Sequence, residues 1–227
     1  MIKLQIKPPR FMPCLASVLI VYGCNSKAPT RSLLKATQAP FADLQVGQQW
    51  KYVGREKAYD QNRVLTGDTV TITVIAKENG LVTFKERFIH GAPNQPEDTL
   101  TFRLQLEDSR LRQVGDNSSS VFRFLSSHDG VLWLTPIDSN RVAINLETSL
   151  FTLREQTGKN HFIGYAESVQ LFLNNYDDLT VYYDERLTYV DGPGHVALFS
   201  AKEGMVGTIY FGGFSLFEQH GYELIKQ

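Results

Sequence analysis

Cysteine is scarce in this chain. Among 227 residues there are only two, Cys14 and Cys24, and both lie within the first 24. The remainder therefore has no cysteine with which to form an internal disulfide, and its fold must depend on a hydrophobic core. Long apolar runs are also missing, because no segment after residue 23 approaches the roughly 18 consecutive apolar residues of a transmembrane helix.

A strong excess of charge of either sign is absent as well. The chain has 23 basic and 24 acidic side chains. If residues 1–23 are removed as a leader, three basic side chains go with them, which leaves 20 against 24 and a balance of −4. This weak acidity predicts no nucleic-acid partner, because such proteins present a basic surface.

The common motifs of catalysis and metal binding are missing too. There is no Gly-x-Ser-x-Gly, no His-x-His and no His-Glu-x-x-His. The five histidines are far apart in the sequence, so we expect neither a metal site nor a cofactor. They are His90, His128, His161, His195 and His220.

Three short clusters contain residue types that could take part in catalysis. Ser126-Ser127-His128-Asp129 combines the residue types of a catalytic triad, but triads are assembled by the fold and the stretch is typical of a turn. The carboxylate pairs Asp177-Asp178 and Asp184-Glu185 are typical of solvated turns and strand faces. We therefore assign no catalytic residue, although a hydrolase whose site is dispersed along the sequence stays an alternative.

The N-terminus has the three parts of a secretory signal peptide. Lys3, Lys7 and Arg10 supply the basic start, residues 11–21 form a short and mostly apolar run, and small Gly23 precedes Cys24. An apolar run of this length is too short to span a bilayer. An ordinary secretory signal or an uncleaved anchor are the alternatives.

Val21-Tyr22-Gly23-Cys24 resembles the lipobox of bacterial lipoproteins, in the looser form found in Bacteroidota. The resemblance implies that residues 1–23 are a signal peptide and that the Cys24 thiol is acylated and becomes the new N-terminus. It also implies attachment to the cell envelope, and Asn25 in place of aspartate implies the outer membrane. Two or more acyl chains hold a protein stably on a membrane, whereas one does not.

Residues 24–40 are expected to be a lipidated tether and residues 41–227 one β-rich domain. The stretch after Cys24 is polar, contains two prolines and lacks strand alternation, with at most a short helix at 32–36. The domain begins where large apolar side chains begin. In its first strand we expect Trp50 and Tyr52 to face the core and Lys51 to face solvent.

From there on, apolar and polar residues alternate with the period of half-buried strands. Val70, Ile72 and Val74 lead through a turn into residues 81–89, and a three-residue loop at 78–80 would pair Val74 with Phe84, Ala76 with Val82 and Val70 with Phe88. A short helix is expected at 121–125. Further strands are expected at 100–106, 110–114, 131–135, 141–146, 150–154, 161–173, 179–190, 195–201, 205–211 and 222–225.

Ten to twelve short strands predict a mainly β fold with one or two short helices, built as an antiparallel curved sheet in a half-barrel or a sandwich. Trp50, Tyr52, Tyr189, Gly194 and Val196 carry a likeness in outline. At these positions the chain resembles β-rich Bacteroidota lipoproteins of uncharacterised function. It is also similar to the concave-sheet carriers that escort lipoproteins. Lipocalins have a similar outline.

The function expected from these features is a membrane-anchored binding or structural role in the envelope, without identifiable catalysis. A carrier of lipid or another apolar ligand in the concave sheet is the main alternative. Aromatic residues crowd the C-terminal third, where most are expected in the core and the rest could contact a protein or glycan partner.

Overall fold

The computed structural model describes residues 44–57, 64–107, 110–115, 119–122, 131–133, 141–185, 194–200, 202–211 and 219–226. The predicted signal peptide, Cys24 and the predicted tether lie outside the described residues. The described residues form twelve strands and one helix. In chain order these are β1 (Gln49–Lys57), β2 (Val64–Glu78), β3 (Leu81–Ile89), β4 (Asp98–Glu107), β5 (Arg110–Val114), β6 (Val131–Trp133), β7 (Arg141–Ile144), α1 (Leu150–Thr157), β8 (His161–Gln170), β9 (Asn175–Glu185), β10 (Gly194–Ser200), β11 (Gly204–Phe211) and β12 (Gln219–Leu224).

All twelve strands belong to one sheet. Its order is β6-β5-β4-β3-β2-β1-β12-β11-β10-β9-β8-β7, so the first and last strands pair in the middle. Every neighbouring pair is antiparallel except β7 and β8, which are parallel. The predicted mainly β, antiparallel fold is confirmed, in the form of one sheet.

Chain connectivity requires this sheet to curl. Strands β6 and β7 occupy opposite edges, yet only eight residue steps separate Trp133 from Arg141. Eight steps span at most about 30 Å, whereas twelve strands laid flat would be about 53 Å across. The two edges must therefore approach each other, and of the two predicted forms the sheet adopts the half-barrel.

The β2–β3 hairpin shows how the sequence sets register. Val74 pairs with Phe84 and Val70 with Phe88, as predicted. The predicted loop length and the Ala76–Val82 pair are wrong. Asn79 and Gly80 form a two-residue turn with φ of 48° and 80°, the pattern of a type I′ hairpin. A bulge between Val74 and Ala76 then restores the apolar pairing by inserting one residue.

The predicted strand at 150–154 is wrong, because residues 150–157 form helix α1. Ser149 caps the start by accepting a hydrogen bond from the Thr152 amide, and left-handed Gly158 ends the helix at φ 65°. A serine N-cap and a glycine C-cap are strong helix boundaries. For the helix predicted at 121–125, Val121 and Phe122 are bends and the remainder lies outside the described residues.

Both edges of the sheet are formed by short strands, of three residues in β6 and four in β7. On β7, the Gln156 side chain from α1 accepts from the Ala143 amide at 2.8 Å and donates to the Ala143 carbonyl at 3.1 Å. The Gln156 side chain therefore occupies the N–H and C=O groups of Ala143, to which another strand could otherwise bind. Short, covered edge strands resist unwanted pairing with other chains.

The concave face of the sheet carries the core in its N-terminal half. Tyr52 is 2% exposed and Lys51 is exposed, so the predicted orientation of β1 is confirmed, although Trp50 is only partly buried. In the C-terminal half, strands β10 and β11 are covered on both faces. Strand β10 is buried from Gly194 to Phe199, with Leu150 of the helical segment packed against Gly194.

A buried carboxylate holds the β8–β9 turn onto the outer face of the sheet. Glu223 on β12 is fully buried. It accepts hydrogen bonds from the backbone amides of Phe172, Leu173 and Asn174 at 2.7, 2.9 and 3.0 Å. The Arg55 guanidinium lies close enough to influence the Glu223 pKa and donates to the Thr208 carbonyl at 3.1 Å. The turn and the sheet are therefore joined through polar bonds inside an apolar layer.

Candidate functional site

The concave face is the place where a half-barrel would hold a ligand, and in its N-terminal half it is apolar. Alternate residues of three neighbouring strands point into it because strand side chains alternate between faces. These residues are Val70, Ile72 and Val74 on β2, Val82 and Phe84 on β3, and Phe102 and Leu104 on β4, all of them buried.

Residues 119–122, here called the cover segment, lie on this face. Val121 and Phe122 are 0% and 3% exposed. The Phe122 ring lies 6.3 Å from Phe84 and 5.6 Å from Phe102, and the latter two rings stack at 5.1 Å. The protein's own aromatic side chain thus occupies the position where an apolar ligand would contact β3 and β4.

Glu86 fixes the cover segment to the sheet. Its side chain is 1% exposed on the same face as Phe84. One carboxylate oxygen accepts from the Ser119 hydroxyl and the other from the Ser120 amide, the latter at 2.8 Å. Tyr210 adds a weaker hydrogen bond to the Val121 carbonyl at 3.4 Å. A buried carboxylate needs such partners, so these hydrogen bonds hold the cover segment against the sheet.

Little space remains beneath the cover segment. The cavity between β1, β2, β3 and the cover has a volume of about 10 Å³, which is at the lower limit for one water molecule. Its lining residues are Trp50, Tyr52, Ile72, Phe84, Phe122 and Met205. In this part of the described structure the concave face is filled rather than open.

A second feature is a row of polar residues that crosses six adjacent strands. Each member is the direct cross-strand partner of the next, and we call it the histidine row. In order across the sheet it consists of Glu56, His220, Tyr210, His195, Asp184 and His161. The row left no signal in the sequence, because its members lie up to 164 positions apart and meet only through the register of five strand pairs.

Ring contacts continue along the histidine row. The Tyr210 ring stacks on His220 at 5.1 Å and lies 6.3 Å from His195, while the His161 Nδ1 lies 3.2 Å from an Asp184 carboxylate oxygen. Glu56 and His220 at one end of the row and His161 at the other end are exposed, whereas His195 near the centre is buried. The row can bind polar groups at its exposed ends but not at its buried centre.

The other residues singled out from the sequence are not brought together. His90 lies elsewhere, with its Nε2 3.0 Å from Asp98, and His128 with the whole 126–129 cluster lies outside the described residues. Asp178 contacts Arg141 at 3.4 Å on the surface. Among the residues that the structure describes, no group of three or more His, Cys, Asp or Glu side chains could hold a metal ion.

The C-terminal aromatic residues lie mainly in the core, as predicted. Tyr176, Tyr182, Tyr183, Phe162, Phe199 and Phe211 are buried. Phe172 is exposed at 37%, and Tyr189, Phe214 and Phe217 lie outside the described residues. The described part of the chain therefore shows no continuous aromatic surface. No helix within it is long and apolar enough to cross a membrane.

No protein-family model matches this sequence, and no curated protein matches it. Two solved structures are similar in outline. One is a Bacteroides fragilis protein described as exported and as having a YmcC-like fold, at TM-score 0.43 and 12% identity, covering 81% of this chain and 97% of the other. The second is a LolA-superfamily protein from Nitrosomonas europaea, at TM-score 0.23 and 11% identity, covering 87% and 91%. At TM-scores below 0.5, these similarities identify no shared function.

Proposed function

We propose that this protein is a lipid-anchored lipoprotein of the bacterial outer membrane, whose β domain has a binding or structural role without identifiable catalysis. The observation that best supports this role is the filled concave face. Phe122 and Val121 occupy the apolar surface over β3 and β4, and about 10 Å³ remains beneath them. A carrier at rest would need room for an acyl chain, whereas a binding or structural domain benefits from a solid core.

The anchor is tested by metabolic labelling with a radiolabelled fatty acid. We expect label on the wild-type chain and none on Cys24→Ser, because acylation needs the Cys24 thiol. Cys14→Ser is the matched control and should keep the label, since Cys14 lies in the part removed as leader. Equal labelling of wild type and Cys24→Ser would contradict the lipoprotein assignment.

A second candidate function, carriage of an apolar ligand, is favoured by one observation. Apart from Glu86, the described residues of β2, β3 and β4 beneath the cover segment are apolar, and the described polar bonds that hold the cover to the sheet come from Glu86 and Tyr210. Movement of the cover would expose Phe84 and Phe102 together. In that case the structure described here would be the ligand-free form of a carrier, in which Phe122 occupies the place of the ligand.

Binding of a fluorescent fatty acid separates the two candidates. The chain 25–227 contains every described residue and every described contact, and we expect it to show no saturable binding. We expect the same of Glu86→Gln, which weakens the hold on the cover, and of the exposed control Glu78→Gln. Saturable binding that Glu86→Gln strengthens, with Glu78→Gln unchanged, would instead establish the carrier function, because release of the cover would favour the ligand.

A further inference from the structure

An open groove lies at the end of the sheet where β1 begins and β12 ends. Its volume is about 370 Å³, far more than the space under the cover segment. Its lining includes Gln48, Trp50, Lys51, Lys202, Glu203 and Lys226. We call it the basic groove.

Positive charge exceeds negative charge in the basic groove. Three lysines, Lys51, Lys202 and Lys226, line the groove together with a single carboxylate, Glu203, whose oxygen lies 3.7 Å from the Lys226 ammonium. Lys51 and Lys202 are exposed and form no ion pair with any residue that the structure describes. Two uncompensated ammonium groups therefore remain, on a domain whose own balance is acidic. Such a local excess attracts an anionic partner while the remainder of the surface repels it.

The groove also presents an amphipathic aromatic residue. Trp50 is partly buried against the core, and its indole N–H donates to the Glu203 carbonyl at 3.2 Å. Half-exposed Ile225 lies on the same lining. A tryptophan at the boundary between apolar and charged groups, beside lysines, is the combination that anchors proteins at the level of lipid head groups.

The position of the groove relative to the predicted anchor agrees with this chemistry. The described chain begins at Leu44, and the turn at 45–48 leads directly into the groove at Gln48. Cys24 precedes Leu44 by 20 residues. Twenty residues are a short connection, so the proposed anchor at Cys24 would hold the end of the domain that carries the groove nearest to the lipid.

We propose that the basic groove binds the phosphate-bearing head groups of the membrane that holds the anchor. The inference rests on the proposed lipid anchor for its biological setting, but its test does not need the lipid. Acyl chains and a basic patch are the two kinds of signal that together give stable membrane attachment. Contact at the groove would also fix how the domain is oriented on the membrane.

Co-sedimentation with vesicles tests the proposal on the non-lipidated chain 25–227. We expect binding to phosphatidylcholine vesicles that contain phosphatidylglycerol and weak binding to phosphatidylcholine alone. Each lysine near an anionic surface contributes about fivefold, so Lys51→Glu/Lys202→Glu should lower the partition coefficient by at least about tenfold. The matched control is Lys85→Glu/Arg103→Glu on the outer face of β3 and β4, which makes the same change in charge and should stay within about twofold of wild type.

Three results would overturn the proposal. The first is no preference of the wild-type chain for anionic vesicles, and the second is an equal loss of binding in the groove and control variants. The third is binding abolished by millimolar glycerol phosphate or inorganic phosphate, which would identify a site for a free anion. Each of these would leave the Cys24 labelling result intact, so failure of the groove and failure of the anchor are distinguishable. All four substituted side chains are exposed, and equal thermal midpoints would confirm that the variants fold.

Discussion

Replacing Tyr52 with alanine is expected to lower the free energy of unfolding by about 3–5 kcal/mol. The ring is 2% exposed, and its hydroxyl donates to the Met205 carbonyl at 3.1 Å. The substitution therefore removes buried aromatic surface, opens a cavity next to Ile72 and leaves a buried carbonyl without its donor. The loss is a large share of the roughly 5–15 kcal/mol that stabilises a whole domain. Equilibrium urea denaturation measures it.

Two further substitutions separate the contribution of the buried Tyr52 ring from that of its hydrogen bond and provide a control. Tyr52→Phe keeps the ring and removes only the hydrogen bond, so we expect a loss of about 1–2 kcal/mol. Lys51→Ala, one residue away on the opposite face, should change the free energy of unfolding by less than about 0.5 kcal/mol. A Tyr52→Ala chain with the wild-type urea midpoint would mean that β1 does not contribute Tyr52 to the core.

Replacing Glu223 with alanine is expected to cost about 3–5 kcal/mol, the usual effect of breaking a buried charged cluster from one side. Three backbone amides of the 172–174 turn lose their acceptor, and Arg55, itself 9% exposed, loses a nearby carboxylate. Glu223→Gln should cost less because its carbonyl oxygen can still accept two of the three bonds. Glu78→Ala, an exposed change on β2, should stay within about 0.5 kcal/mol of wild type. An alanine variant as stable as Glu78→Ala would show that the turn does not depend on Glu223.

The contribution of Glu223 to the free energy of unfolding is expected to change with pH in a defined direction. Burial raises the Glu223 pKa above its ordinary value of 4.5, and this effect outweighs the lowering by the three amides and Arg55. Between 4.5 and the raised pKa, the folded state binds more protons than the unfolded state, so stability falls as pH rises. The stability of wild type relative to Glu223→Gln should therefore decrease with rising pH across that interval. A difference that grows with pH would show that the folded pKa is lowered instead.

The sequence predicted the sheet well wherever alternation was regular. Val70, Ile72 and Val74 lie on one face because a slip by one residue would expose them, and Val70 and Val74 pair with Phe88 and Phe84. The bulge at Ile75 was not predicted, because the alternation of β3 is unchanged by it and so gives no sign of it. The bulge adds one residue to β2 and thereby compensates for the two-residue turn. Helix α1 was missed because residues 150–154 are apolar enough for a strand, while the boundaries at Ser149 and Gly158 favour a helix.

The candidate site was harder to predict than the fold, although one signal was present. In β3, Glu86 occupies the inward position between Phe84 and Phe88 in an otherwise apolar alternation. A carboxylate there requires donors, and the serine-rich stretch before Val121 supplies them. The histidine row left no comparable signal, because its alignment depends on the exact register of strands far apart in sequence. The filled concave face is equally a tertiary property, since Phe122 reaches Phe84 and Phe102 only after the chain has crossed the sheet.

The pairing of β1 with β12 has a consequence for how the chain can be assembled. A ribosome or an export channel releases the N-terminus first, so β1 is free long before its partner in the middle of the sheet exists. Strands β1–β6 and β7–β11 would then form two separate ribbons, each with an unpaired edge at what becomes the centre. The last strand, Gln219–Leu224, joins the ribbons and makes the sheet continuous. Completion of the sheet must therefore wait until β12 has been made, and until then each ribbon keeps an unpaired edge.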